Sequence, residues 1–190
     1  MIPAIEQLRD LVLAAVPGAT VEIVPSTPSA QQPSLRVDAA HLVAVARYLR
    51  DDVSLLLDFC SCVTGVDYPK QNCIEVVYHL YSVALHHGPV VLKVRAPREL
   101  EQCRTPSLTT VWRGCEYQER EAFDLYGVKF GGHPDLRRIL MWDEFEGHPM
   151  RKDYVPPSDY EWEPTPHGET LTRTKAQGGV VPPSALEAKK

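Results

Sequence analysis

The chain has 190 residues, 44% of them hydrophobic, and a formal net charge of -5, which is enough for one domain with a real core plus an extension. A mildly acidic chain lacks the basic face of a nucleic-acid binder, and no run of about 18 apolar residues offers a membrane span. Residues 1–10 carry Glu6, Arg9 and Asp10 where a signal peptide would be apolar, so the expected location is the cytoplasm, or the cytoplasmic side of a membrane if a partner holds the chain there.

In chain order, a first helix is expected over residues 3–16. Proline suits a first helical turn, Ile5, Leu8, Val12 and Ala15 share one face, and Pro17 with Gly18 stops it. A short strand over 20–24, a Ser/Pro/Gln loop over 25–34 and a second short strand over 35–37 follow. Asp38 reads as the N-cap of a helix running to Arg50, with Leu42, Ala46 and Leu49 inward. Residues 54–66 are almost continuously apolar, the pattern of a strand covered on both faces. Residues 73–84 alternate, with Ile74, Val76, Tyr78 and Leu80 on one side. After a turn at His86, His87 and Gly88, residues 90–96 alternate again, with Val90, Leu92 and Val94 inward and Lys93 and Arg95 outward. These two form an antiparallel hairpin. A last helix is expected to begin near Thr105 and Pro106 and to end before Gly127, with a break around Arg113 and Gly114. The fold class is α+β: a mostly antiparallel sheet with helices packed on one face, followed by an extended irregular C-terminal tail. Residues 1–127 form the α+β domain, 128–155 an irregular interface segment, and 156–190 a tail too rich in Pro, Gly, Thr and charge to bury much apolar surface.

Five cysteines and no expected leader argue against a disulfide framework, and no C-x-x-C pair is present for zinc or iron–sulfur ligation. Cys60 and Cys62 share a face of a strand and read as small buried hydrophobes. Nucleotide-binding and serine-hydrolase patterns are missing. His133 and His148, with Asp135 and Asp153, lack helical metal spacing, and each histidine precedes a proline. Trp112, Trp142 and Trp162 read as packing or interface anchors.

Residues 116–127 read as a helix end in which Glu116, Arg120 and Asp124 form a ladder and Gly127 takes the C-cap. Asp124 meets the negative end of the helix dipole, at a cost of a few tenths to ~1 kcal/mol. Arg120 offsets this, or a cation from elsewhere in the chain or from a partner does; a solvated charged face is the plain alternative. Beyond the helix, His133-Pro134 and His148-Pro149 fix bends, and Arg137, Arg138, Arg151 and Lys152 are expected to project from irregular backbone toward carboxylates of a neighbour.

The run Glu119-Arg120-Glu121-Ala122-Phe123-Asp124-Leu125-Tyr126-Gly127, with its continuation Phe130-Gly131-Gly132-His133-Pro134-Asp135-Leu136-Arg137-Arg138-Ile139-Leu140, resembles the signature of the 30 kDa subunit of respiratory complex I, in bacteria the C-type subunit of NADH-quinone oxidoreductase. Trp142 and Gly147-His148-Pro149-Met150-Arg151-Lys152-Asp153-Tyr154 match the same family's continuation, and the likeness is dense over residues 107–154. One departure is the stretch Arg113-Gly114-Cys115-Glu116-Tyr117, where the family carries a Pro-Gly-Ala-Asn-Trp-like sequence; it implies a helix with less of a break. The resemblance implies a non-catalytic subunit of the peripheral arm, on the cytoplasmic side of the bacterial inner membrane. Such a subunit holds no flavin, iron–sulfur cluster or quinone chemistry of its own. Its partners are the quinone-cavity (49 kDa-type) subunit and the adjacent iron–sulfur subunit, within a complex that moves electrons from NADH through FMN and iron–sulfur clusters to quinone and couples this to proton translocation. The residues it marks for the partner interface are Glu119, Arg120, Glu121, Asp124, His133, Pro134, Asp135, Leu136, Arg137, Arg138, His148, Arg151, Lys152, Asp153 and Tyr154. The alternatives are the equivalent subunit of a membrane-bound hydrogenase or another quinone-reducing complex, and an independent hydrolase or metal enzyme.

Overall fold

Leu8 and Val12, one helical turn apart, are fully buried and anchor α1 (Ile5–Ala15) in the computed structural model, which describes residues 3–25 and 32–155. Ile5 is only partly covered and Ala15 is exposed, so the buried stripe is narrower than the sequence spacing. β1 (Val21–Val24) and β2 (Ser34–Val37) pair antiparallel, Val21 opposite Val37. Most of the loop expected between them lies outside the described residues.

Asp38 does not cap a helix directly. Its Oδ1 accepts the Thr20 N–H at 2.8 Å, and its Oδ2 faces the His41 backbone N–H at 3.2 Å and ring Nδ1 at 2.7 Å. It thereby closes a turn, and α2 (Leu42–Asp51) starts after His41 with Leu42, Val45, Ala46 and Leu49 fully buried.

The apolar run at 54–66 is not one strand. Asp52 Oδ1 accepts N–H groups from Ser54 and Leu55, Leu56 adopts φ +40°, and Leu55 and Leu57 drop into the core from irregular backbone. Core burial of a turn and core burial of a strand leave the same apolar trace in sequence. β3 (Phe59–Tyr68) begins only after this turn and is an edge strand, buried mainly on one face. A bulge sets Cys60 opposite Leu80 but Cys62 opposite His79. The extra residue undoes the two-residue alternation, so Cys60 is buried and Cys62 exposed.

β4 (Cys73–Ser82) and β5 (His87–Pro97) form the expected hairpin, with the turn slightly earlier than expected and His86 at φ +53°. The five-stranded sheet runs β1-β2-β5-β4-β3, antiparallel except between β2 and β5. Its register aligns Leu35, Leu92, Tyr78 and Val63 in one row, against which the buried stripes of the helices form a single core. The other face carries buried Glu75, reached by Arg95 at 2.8 Å and Lys93 at 3.5 Å.

Thr105 and Pro106 do not start a helix. β6 (Arg104–Pro106) pairs parallel with β7 (Lys129–Gly131), turns follow, and α3 (Cys115–Tyr126) begins at the expected break. Gly114 is therefore the N-terminal boundary, and the helix does not continue through it. The chain divides into one unit over Met1–Tyr154 and a second over Val155–Lys190, of which only Val155 is described. The expected tail thus lies outside the described residues.

Gly127 ends α3 at φ +76°, and a Cβ there would lie 2.6 Å from His148 Nε2 and 2.7 Å from Leu100 Cδ2. Gly127→Ala is expected to cost roughly 2 kcal/mol or more through the left-handed backbone and the clash together. A urea midpoint unchanged from the parent chain would refute this.

Candidate functional site

An α-helix leaves its last four carbonyls without helical partners. In α3 those belong to Phe123, Asp124, Leu125 and Tyr126, and each finds a donor in the residues that follow. Phe123 O accepts the Gly127 N–H at 2.8 Å and Leu125 O the Met150 N–H at 3.1 Å. Asp124 O meets His148 Nδ1 at 2.8 Å, and Tyr126 O accepts Arg151 Nε–H at 2.7 Å. Arg151 also donates to Arg98 O at 2.7 Å. The His148 ring acts as a donor through Nδ1, and burial pulls its pKa below the ordinary histidine value. Residues 147–151 thus cap the helix, and the guanidinium of Arg151 meets the negative end of its dipole.

Three charged side chains of α3 are buried on different sides. Asp124 Oδ1 accepts from Arg138 Nη1 at 2.6 Å, while Oδ2 accepts three successive backbone N–H groups, from Ile139 at 3.1 Å and from Leu140 and Met141 at 2.8 Å each. Burial pushes the Asp124 pKa up, but the three amides and Arg138 outweigh it and hold the group below the ordinary carboxylate value. The dipole problem posed by a carboxylate in the last turn is solved by a cation from the chain itself. Arg138 goes on to donate through Nη2 to Phe145 O at 2.9 Å and Gly147 O at 3.0 Å, and its guanidinium lies 5.7 Å from the Phe145 ring centroid. Residues 138–147 therefore form an arch closed by one arginine.

Arg120 braces the entry to the arch. It donates to Arg137 O at 3.2 Å and Arg138 O at 3.0 Å, and lies 3.8 Å from the Asp135 carboxylate. The Glu116 ladder is not what holds it. His133 Nε2 sits 3.0 Å from Glu116 O, and its Nδ1 accepts the Asp135 N–H at 3.0 Å, an arrangement that places the ring proton on Nε2.

Glu119 points the opposite way, into the core. It accepts from Ser107 Oγ at 2.6 Å, the Leu108 N–H at 2.8 Å and Tyr78 OH at 3.5 Å. Burial pushes its pKa up to about 7 against the pull of those three donors.

The remaining signature residues lie at the surface or on its margin. Glu121 and Pro134 are exposed, Leu136 packs on the edge of the core, and Arg137 pairs with Asp135 through Nε at 2.9 Å. Lys152 contributes its backbone N–H to Asp67 at 2.8 Å, while Asp153 accepts from Arg98 Nη2 at 2.5 Å. Tyr154 stacks on Phe145 with ring centroids 5.9 Å apart. Sequence reasoning missed the residue pair that anchors this end: Arg98 grips Asp67 with two bonds, of 2.8 and 3.0 Å. A lone Asp in an apolar strand and an Arg after a proline were the only signals, 31 residues apart.

Chemically, these groups stabilise backbone. A cleft of about 500 Å³, lined by Phe59, Tyr81, Val83, His86 and His87, lies at the opposite end of the hairpin from Asp67 and Arg98. Trp112 is a packing residue, its Nε1–H bonded to Leu57 O at 2.8 Å; Trp162 lies outside the described residues.

Asp124→Asn leaves Arg138 without its counter-ion and is expected to destabilise the chain by about 3 kcal/mol, read as a lower urea midpoint. For the parent, the Asp124 contribution is complete above the ordinary value of 3.8 and is lost as pH falls through its depressed folded-state pKa; a variant with the parent midpoint at pH 7 would sink the assignment. Glu119 behaves oppositely. The folded chain holds its proton to about pH 7 while the unfolded chain releases it near 4.5, so stability falls as pH rises between those values. Glu119→Gln is expected to flatten that slope, worth about 3 kcal/mol. An identical pH profile of Tm in both proteins would count against it.

Residues 35–160 match the family model described as the respiratory-chain NADH dehydrogenase, 30 Kd subunit. The C-type subunit of the NADH-quinone oxidoreductase of Moorella thermoacetica is 46% identical over 122 residues, covering 64% of this chain and 79% of that protein. Its counterpart in Rhizobium meliloti, the C 2 form, is 44% identical over 152 residues, 75% of this chain and 81% of that one. Among solved structures, a chain of the membrane-bound sulfane sulfur reductase, an archaeal respiratory membrane complex, superposes with TM-score 0.63 at 25% identity, covering 90% of this chain and 91% of that chain. The trypsin-resistant fragment (1-134) of Nqo5 superposes with TM-score 0.50 at 25% identity, covering 70% and 98%. The matched span contains α3, the arch and the capping segment together, and the chain belongs to the family of the respiratory-chain NADH dehydrogenase 30 Kd subunit.

Proposed function

We propose that this chain is a non-catalytic subunit of the peripheral arm of a NADH-quinone oxidoreductase, and that it supports the quinone-cavity (49 kDa-type) subunit beside the adjacent iron–sulfur subunit, on the cytoplasmic side of the inner membrane. The observation that carries this reading is the use made of the signature charges. Arg120, Asp124, Arg138, His148 and Arg151 all bind backbone groups and so shape a surface. Catalytic groups would instead converge on a site where a reacting atom can sit. FMN and the iron–sulfur clusters are assigned to partner subunits. In support, four of the five cysteines are buried, and burial raises the thiol pKa of Cys73 and Cys103, which disfavours the thiolate that ligates iron. The relatives, named as C-type subunits of NADH-quinone oxidoreductases, support the choice of complex.

A second reading, the equivalent subunit of another respiratory membrane complex, draws on the likeness to the sulfane sulfur reductase chain. Partner identity separates the two. Purification from native membranes through a tag on this chain is expected to bring down flavin- and iron–sulfur-bearing NADH-oxidising subunits, and the isolated chain is expected to carry no stoichiometric flavin or iron. Bound flavin or iron in the isolated chain, or capture of no other subunit, would defeat the proposal.

A further inference from the structure

We propose that the surface by which this chain meets its partner is the tip formed by Ile139 and Leu140 together with the acidic turn beside it, and that the partner subunit offers an apolar recess flanked by lysines or arginines. This rests on the reading above and assigns it a face.

Isolated exposed aliphatic residues are ordinary. Ile139 and Leu140 are not an ordinary pair, because a built brace holds them outward. They are 37% and 56% exposed, while the backbone N–H groups of both are fixed by a carboxylate that is itself fully buried. Capturing three successive amides at 139–141 on Asp124 Oδ2 turns the polar side of this backbone toward the domain and leaves the side chains facing away. Arg138 then locks the far side of the arch at Phe145 O and Gly147 O, and Trp142 and Phe145 meet edge to face at 4.7 Å between ring centroids. A surface pre-ordered in this way loses little freedom on binding.

The charge balance of the arch points to the chemistry of the partner. Arg138, the one cation within residues 138–147, donates to backbone carbonyls, as do its neighbours Arg120 and Arg151, and Arg137 is held by Asp135. Asp143, Glu144 and Glu146 are exposed; Asp143 acts electrostatically on Arg137, while Glu144 and Glu146 form no ion pair with a described residue. The tip is therefore apolar with an anionic flank. A second copy meeting it through the same face would bring like charges together, and an anionic lipid surface would repel it. A cation-flanked apolar recess on a different chain is complementary in both respects.

The test uses the full tagged chain expressed in its native membranes. Three variants are compared with the parent: Ile139→Ser with Leu140→Ser, Glu144→Lys with Glu146→Lys, and, as a control at an unrelated site, Val53→Ser, where the side chain is 86% exposed. The first two are expected to lower the recovery of partner subunits about tenfold, and the control to leave it unchanged. Salt is expected to weaken recovery by the parent more than by the lysine variant. The lysine variant alters only exposed groups, so it carries the test if the serine pair lowers the urea midpoint. Parent-like recovery by both variants overturns this inference and leaves the proposed function standing. Recovery by the parent of nothing but further copies of itself overturns both.

Discussion

The end of α3 is the constraint on which the rest of the signature region depends. Four carbonyls and a carboxylate crowd one helix terminus, where the dipole is negative and water is largely excluded. The chain resolves this by returning over the terminus with His148, Arg151 and Arg138. Each of these donors is placed by a bend, and each bend is held by the bond the donor makes. The glycine at 127 belongs to the same solution, since its left-handed turn clears space for the His148 ring. An irregular segment without sheet or helix thereby becomes a fixed surface.

That solution connects to the sheet at two points. Glu119, five residues before Asp124, ties α3 to Tyr78 in the central row of the sheet and to the turn at Ser107 and Leu108. Arg98 and Asp67 tie the far end of the capping segment to the ends of β5 and β3. The two acidic residues of the helix carry opposite consequences for their protons. Glu119 is desolvated by burial with only neutral donors and holds its proton unusually long. Asp124 is equally excluded from water but receives three amides and a guanidinium, and loses its proton unusually early. Burial is common to both; the donors decide the sign.

The arch gives the tertiary structure a use for charges that a surface reading would send outward. Arginines turned inward leave an apolar tip and an acidic flank facing solvent. A surface held rigid in this way loses less freedom on any association than a flexible one would.

Much of the fold was legible in the chain. Alternation located the hairpin, the apolar stripe of α2 fell on Leu42, Ala46 and Leu49, and the turn chemistry of Gly127 marked the end of α3. The family signature over residues 107–154 was legible as a pattern. Periodicity carried no account of the turn at Leu55 and Leu57, of the bulge that separates Cys60 from Cys62, or of β6, because each depends on partners distant in sequence. Local sequence by itself determined α1, α2, the β4–β5 hairpin and the end of α3, since backbone propensity and hydrophobic period act over a few residues. That Asp124 and Arg138 pair within the chain was visible only in the tertiary structure, because a charge finds its counter-ion through space: Arg138 lies 14 residues from Asp124 along the chain and 2.6 Å from it in the fold.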